Sequence, residues 1–230
     1  MSSEPDHNKI IKQAVNSILK PNGLFQKGSS RIWIDDNGWY LIVVEFQPSN
    51  WDNGTYLNVA VHFLWDEKDY LSFDYYVDNQ NLPIPRINGF KRFDGDVDKF
   101  WFEIQTLAEA AMKKVIEYRQ FHDLKLAHRA VLNHQCHHVI HTLYQKMMIC
   151  GLCHDANAVS YFDQLFYELL CSDVEWAKRY QTELVNDIAS LIHNPDLFFD
   201  YICKKIQNQR LFWSSKSSMK KMRKPFTIEF

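Results

Sequence analysis

The chain is poor in the residues that punctuate or staple a fold. Among 230 residues there are seven glycines, seven prolines and five cysteines. So few glycines leave little room for a phosphate-cradling loop, and no P-loop, GxGxxG, GxSxG or HExxH pattern occurs. The cysteines are odd in number and confined to the second half, which argues against a disulfide framework and for a reducing compartment. The first residues, Met1-Ser2-Ser3-Glu4-Pro5-Asp6, carry neither a basic nor an apolar leader region. No apolar run approaches the roughly 20 residues that a membrane-spanning helix needs. These absences together give the expectation of a cytoplasmic protein without a membrane partner.

Acidic residues are also missing from one stretch. Between Lys204 and Lys224 there are eight basic residues and no acidic one, which leaves 18 basic against 28 acidic in the remainder. Such a basic segment reads as a solvated end, or as one that docks on an acidic surface, either a partner's or the protein's own. Without a basic fold behind it, attraction to nucleic acid would be weak and salt-sensitive, and is a minor expectation. Lys220, Lys221, Arg223 and Lys224 are its candidate contact residues.

What is abundant is apolar and aromatic: 46% of the residues are hydrophobic and 15% aromatic, enough for a substantial core. Helical spacing of Ile10, Ile11, Ala14, Val15, Ile18 and Leu19 predicts a helix over Asn8 to Leu19, stopped by Pro21 and Gly23. Strands are expected at Ser29 to Asp36, Trp39 to Gln47, Thr55 to Trp65 and Leu71 to Val77. An irregular crossover over Asp78 to Gly95 follows. Thereafter the 3.6 period predicts helices: one carrying the stripe Trp101 to Tyr118, one from Leu124 to Cys150, then Ala156 to Leu170, Val174 to Ile192 and Pro195 to Ile206. The expected class is α+β, with an N-terminal helix and an antiparallel meander of about four strands before an all-helical half. The expected division is 1–95, 96–208 and a basic tail over 209–230, the first two packing as one composite domain.

Asp36-Asn37-Gly38 is a hairpin signal. A three-residue loop segregates Ile32, Ile34, Tyr40, Ile42, Val44 and Phe46 onto one face, whereas a two-residue loop mixes the sets. The cleaner segregation favours the first. That register makes Arg31 and Glu45 diagonal neighbours, with Gln47, Trp33 and Trp39 alongside and Ser49 and Trp51 at the rim. The group suits a planar or charged ligand or a partner protein, and suits a covered structural ion pair equally well.

The segment Phe25-x-Lys27-Gly28-x-Ser30-Arg31-x-Trp33, with Val44-Glu45-Phe46-Gln47-Pro48-Ser49, Trp51, Gly54-x-Tyr56-Leu57-Asn58-Val59 and Trp65, resembles a bacterial family of uncharacterised proteins. The resemblance covers roughly the first half of the chain. It implies an antiparallel sheet followed by helices, and brings no activity, cofactor or catalytic residue with it.

Two further constellations bear on chemistry. His134, His137, His138 and His141 would fall within about 100° of arc on a single helix, with i,i+4 pairs able to chelate a metal. The carboxylate of a zincin motif is missing, so a polar outer face is the preferred reading. Cys150-Gly-Leu-Cys153-His154 matches a haem-attachment string and half of a zinc knuckle, but the second pair is absent and Cys150 belongs to an apolar stripe. No metal or cofactor is assigned. The expectation is a non-enzymatic protein–protein interaction module, in a defence, toxin-neutralising or regulatory complex. A ligand- or metal-dependent enzyme using the histidine face or the Arg31/Glu45 face is the alternative, and weak nucleic-acid binding through the basic tail is another. Partner and oligomeric state are not encoded in any motif.

Overall fold

The computed structural model describes residues 6–77, 85–135, 138–222 and 226. The fold is α+β: an N-terminal helix, a five-stranded antiparallel sheet in strand order 1-2-3-4-5, and then helices. Two compact units divide the chain. A sheet unit comprises residues 1–63, 69–119 and 211–227, and a helical unit comprises residues 64–68, 120–210 and 228–230. The boundaries therefore differ from the expected 1–95 and 96–208. The first long helix after the sheet belongs with the strands, and so does the basic tail over 211–227, while residues 209 and 210 fall in the helical unit.

In the sheet unit, α1 (His7–Leu19) starts on an Asp6 cap, whose carboxylate accepts from Asn8 N at 2.9 Å. It buries Ile10, Ile11, Ala14, Val15 and Leu19. A two-residue strand β1 (Phe25–Gln26) precedes β2 (Ile32–Asp36), β3 (Tyr40–Gln47), β4 (Gly54–Phe63) and β5 (Arg86–Arg92). The expected strand at Leu71 to Val77 is reduced to one bridge, Val61 with Tyr75. The fifth strand instead arises inside the expected crossover. Its sequence hides it, because Asn88 takes a positive φ of 61° and the strand is half-exposed at the sheet edge.

The β2–β3 register corrects the expected hairpin. Ile34 faces Val43 and Asp36 faces Leu41, and Asn37 N donates to Tyr40 O at 3.0 Å. The loop is thus the two-residue Gly38-Trp39, with Gly38 at φ 82° as a II′ turn requires. Segregation could not choose the register, since residues of both faces (Tyr40, Leu41, Ile42, Val43 and Val44) are all buried. One face, with Trp33, Tyr40, Val44 and Phe46, meets the helices. Trp33 Nε1 donates to Asn16 of α1 at 2.9 Å, and Tyr40 OH donates to Tyr118 O of α2 (Val97–Arg119) at 2.9 Å.

The helical unit holds α3 (Leu124–Asn133), α4 (Val139–Leu152), α5 (Asn157–Leu170), α6 (Lys178–Glu183) and the first part of α7 (Pro195–Ser215), with α4, α6 and α7 bonded to the turn segment Leu64–Lys68. The helix expected over Leu124 to Cys150 is broken. His134 leaves α3 in extended conformation (φ −80°, ψ 141°), and His138 enters α4 as its N-cap. Asn133, His134 and Gln135 start a polar run that offers no apolar face and includes poor helix formers. Past α6 the backbone widens over Leu184–Ile188, where Ala189 N bonds Leu184 O at 2.8 Å. Gly151 allows α7 to pack closely on α4, since a Cβ there would sit 2.3 Å from Phe198. Among the described residues no helix is long and apolar enough to cross a membrane.

The last turn of α7 and the residues after it pack within the sheet unit. Trp213, Met219 and Met222 are buried, and the Trp213 ring meets His62 edge-on at 6.2 Å.

Candidate binding surface

The register places Arg31 and Glu45 on opposite faces of the sheet, so the expected pair does not form. Arg31 is a structural tie. Its guanidinium donates to Gly54 O at 2.9 Å and contacts His7 and Asn8 at the start of α1. Burial and the loss of water lower its pKa. Trp33 is fully buried in the core.

Glu45 and Gln47 instead join residues on the other sheet face. Asn58 Nδ2 donates to Glu45 Oε2 at 2.9 Å and to Gln47 Oε1 at 3.0 Å. Arg86 Nη2 donates to the same Gln47 oxygen at 3.0 Å and stacks over Tyr56 at 3.8 Å. Asn58 Oδ1, Arg86 Nε, His62 Nε2 and Trp213 Nε1 are buried without a hydrogen-bond partner among the described residues. Buried polar atoms of this kind carry a desolvation cost and call for a reason. Asn58, Arg86 and His62 escaped the sequence reading. The polar interruptions of the apolar run Leu57-Asn58-Val59-Ala60-Val61-His62-Phe63 were the available signal.

At the end of β3 the chain turns through Pro48 into a loop that presents Trp51. Ser49 Oγ accepts from Trp51 N at 3.1 Å and Asp52 N at 3.3 Å, closing the turn on itself. Asn53 O accepts from Phe93 N at 2.8 Å, and Asp52 pairs with Arg92 at 3.1 Å, so the loop is fastened to the end of β5. Trp51 is 93% exposed on this organised support. Beside it lies a cleft of about 300 Å³ lined by Ser49, Asn50, Asp52, Asn53, Arg92 and Phe93.

A second cleft in the same unit, about 460 Å³, is lined by Asn22, Phe25, Asp35, Asp36, Arg119 and Lys221. Asp35 is buried and accepts from Arg119 at 2.8 and 3.2 Å. Lys221 lines the same cleft as these carboxylates, with Lys220 exposed next to it. Arg223 and Lys224 lie outside the described residues.

The histidine face does not assemble. His134 and His138 lie at the ends of different helices, and His138 meets Trp176 edge-on at 5.4 Å. His141 turns toward Tyr180 OH, at 3.3 Å. His137 and Cys136 lie outside the described residues.

Two groupings with catalytic residue types read as structural. Ser72 Oγ and Asp74 Oδ2 both approach His62 through Nδ1, at 2.9 and 3.3 Å. A relay needs opposite ring nitrogens for nucleophile and carboxylate. Asp74 also accepts from Phe63 N at 2.8 Å, which holds the chain. Burial, with Asp155 nearby, pushes the Cys153 thiol up to about 12 and raises Cys150 as well, so neither is an activated nucleophile.

Comparison with family models, curated proteins and solved structures gave no match.

Proposed function

We propose that the protein is a non-enzymatic interaction module that engages another protein through the Trp51 loop and the polar sheet face beside it. The carrying observation is the loop itself. A tryptophan 93% exposed is held on a turn closed by Ser49 and tied to β5. A pre-organised aromatic anchor next to adaptable polar groups is what protein interfaces use as a hot spot, because little ordering entropy is lost on binding. Glu45, Gln47 and Arg86, half-exposed on the sheet face whose strands lead into this loop, supply polar surface for a partner. The resemblance of Phe25 to Trp65 to a bacterial family makes a cytoplasmic defence, toxin-neutralising or regulatory complex the context to examine.

Enzymatic use of the same surface has less support. Its histidine and serine are engaged structurally, and the cleft beside Trp51 holds no nucleophile–base pair. Lys221, lining the same cleft as Asp35 and Asp36, favours docking of the basic segment on the protein itself over a footprint for nucleic acid.

The test is co-purification of the tagged full chain from its native cells at moderate salt, alongside Trp51→Ala. A stoichiometric protein partner held by the native chain and lost by the variant, with unchanged thermal melting, is the expected result. An equal yield of that partner with Trp51→Ala contradicts the proposal.

A further inference from the structure

We infer that the helical unit carries a transition-metal site of the zinc class, formed by His128 Nε2, Cys150 Sγ and Asp155 Oδ2. These residues come from three places: the middle of α3, the last turn of α4 and the turn before α5. His128 Nε2 lies 2.9 Å from Asp155 Oδ2 and 3.7 Å from Cys150 Sγ, and Cys150 Sγ lies 3.8 Å from Asp155 Oδ2. Around a tetrahedral zinc with bonds of about 2.0–2.3 Å, such donors stand about 3.3–3.6 Å apart. The two separations from Cys150 Sγ lie within about 0.2 Å of that range, and His128 and Asp155, now in direct contact at 2.9 Å, need part by only about 0.4 Å to share a metal.

The orientation of the imidazole separates a metal site from a catalytic triad. The same ring nitrogen faces both the thiol and the carboxylate. A proton relay uses the two nitrogens on opposite sides, whereas donors converging on one point are what a cation needs. Thiolate and imidazole together select a borderline-soft ion such as zinc, cobalt or nickel over magnesium or calcium.

The backbone aims the set. His154 takes a left-handed φ of 54°, and the chain turns back so that Asp155 N donates to Cys150 O at 2.8 Å. Asp155 Oδ1 is occupied by Asn157, accepting from its backbone N and its Nδ2 at 2.9 Å each. That contact from Asn157 orients the carboxylate with Oδ2 toward His128 and Cys150, as the groups that hydrogen-bond to metal ligands do in metal sites. Cys150 is buried, while the side chains of His128 and Asp155 are 20% and 22% exposed, which leaves an entry path and room for a water as fourth ligand. A metal here would clamp α3 to the α4–α5 turn.

The test uses the full chain, equilibrated with cobalt(II) or zinc(II) and freed of excess metal. One equivalent of metal is expected, and the cobalt form is expected to show thiolate-to-cobalt charge-transfer absorption. Cys150→Ser should abolish that absorption. His128→Ala, at a partly exposed position, should weaken binding about tenfold or more. His138→Ala and Cys203→Ser should leave both stoichiometry and spectrum unchanged. Substoichiometric metal in the native chain overturns the inference. So does charge-transfer absorption that survives both Cys150→Ser and His128→Ala, or metal lost with His138→Ala.

Discussion

The two units differ in how far their buried polar groups are paired. In the helical unit they close on one another. Asp66 accepts from Arg179 at 2.9 Å and Tyr180 at 3.0 Å and pairs with Lys68 at 2.6 Å. Glu183 accepts from Tyr144 and Tyr201 at 3.0 Å each and from Lys205 at 2.7 Å. Gln145 takes a hydrogen bond from Trp65 Nε1 at 2.6 Å, so the segment Leu64–Lys68 is held along its length. In the sheet unit Asp35 is closed by Arg119, but Asn58, Arg86, His62 and Trp213 each keep a buried atom with no partner among the described residues. A closed network of this kind specifies a fold, and the metal site inferred at His128, Cys150 and Asp155 lies apart from it. The half-exposed Glu45, Gln47 and Arg86 and the exposed Trp51 are the groups of the sheet unit that a partner could reach. The contrast makes Trp51 and the half-exposed polar groups of the sheet the place to test the proposed interaction, although the helical network holds more charge.

Substitutions can break or sharpen this contrast. The largest effect is expected for Glu183→Ala, which strips a buried Lys205 of its shorter ion pair and two tyrosines of their acceptor. A loss of about 3–5 kcal/mol is expected, read as the urea midpoint of the helical signal. Next comes Gly54→Ala at the sheet edge. Its Cβ would meet Lys91 O at 2.1 Å and Phe90 at 2.6 Å, so β4 and β5 must part, at a cost of about 1–3 kcal/mol.

Asn58→Leu sharpens the comparison. Its partners Glu45 and Gln47 are half-exposed and can rehydrate, and one unpaired buried oxygen disappears. The loss in chemical denaturation should stay under about 1 kcal/mol, far below that of Glu183→Ala. A loss comparable to Glu183→Ala would mean that the sheet cluster is structural too. The smallest effect is expected for Trp51→Ala, within about 0.5 kcal/mol by thermal or urea melting, because the side chain is in solvent.

The α+β class, α1 and the approximate places of β2 to β4 were legible because they rest on periodicity and on strong breakers such as Pro21 and Gly38. The hairpin register was not, because the middle of β3 is buried on both sides and apolar segregation carries no information there. The histidine face failed for another reason. Projection onto one helix presumes that the helix continues, and it stops at His134. Ser49 and Trp51 could be named from loop chemistry, and Glu45 and Gln47 from strand alternation. Their association with Asn58 and Arg86 depends on cross-strand register, which no local pattern specifies. The grouping of His128 with Cys150 and Asp155 depends on the packing of α3 against α4, which is equally non-local.

Hydrogen exchange on the complex of this chain with its captured partner tests the central claim most directly. The account predicts new protection at residues 48–54 and 86–93, with residues 64–68 and 178–184 unchanged from the unbound chain. Protection confined to the helical unit, with the Trp51 loop exchanging as it does alone, would contradict it.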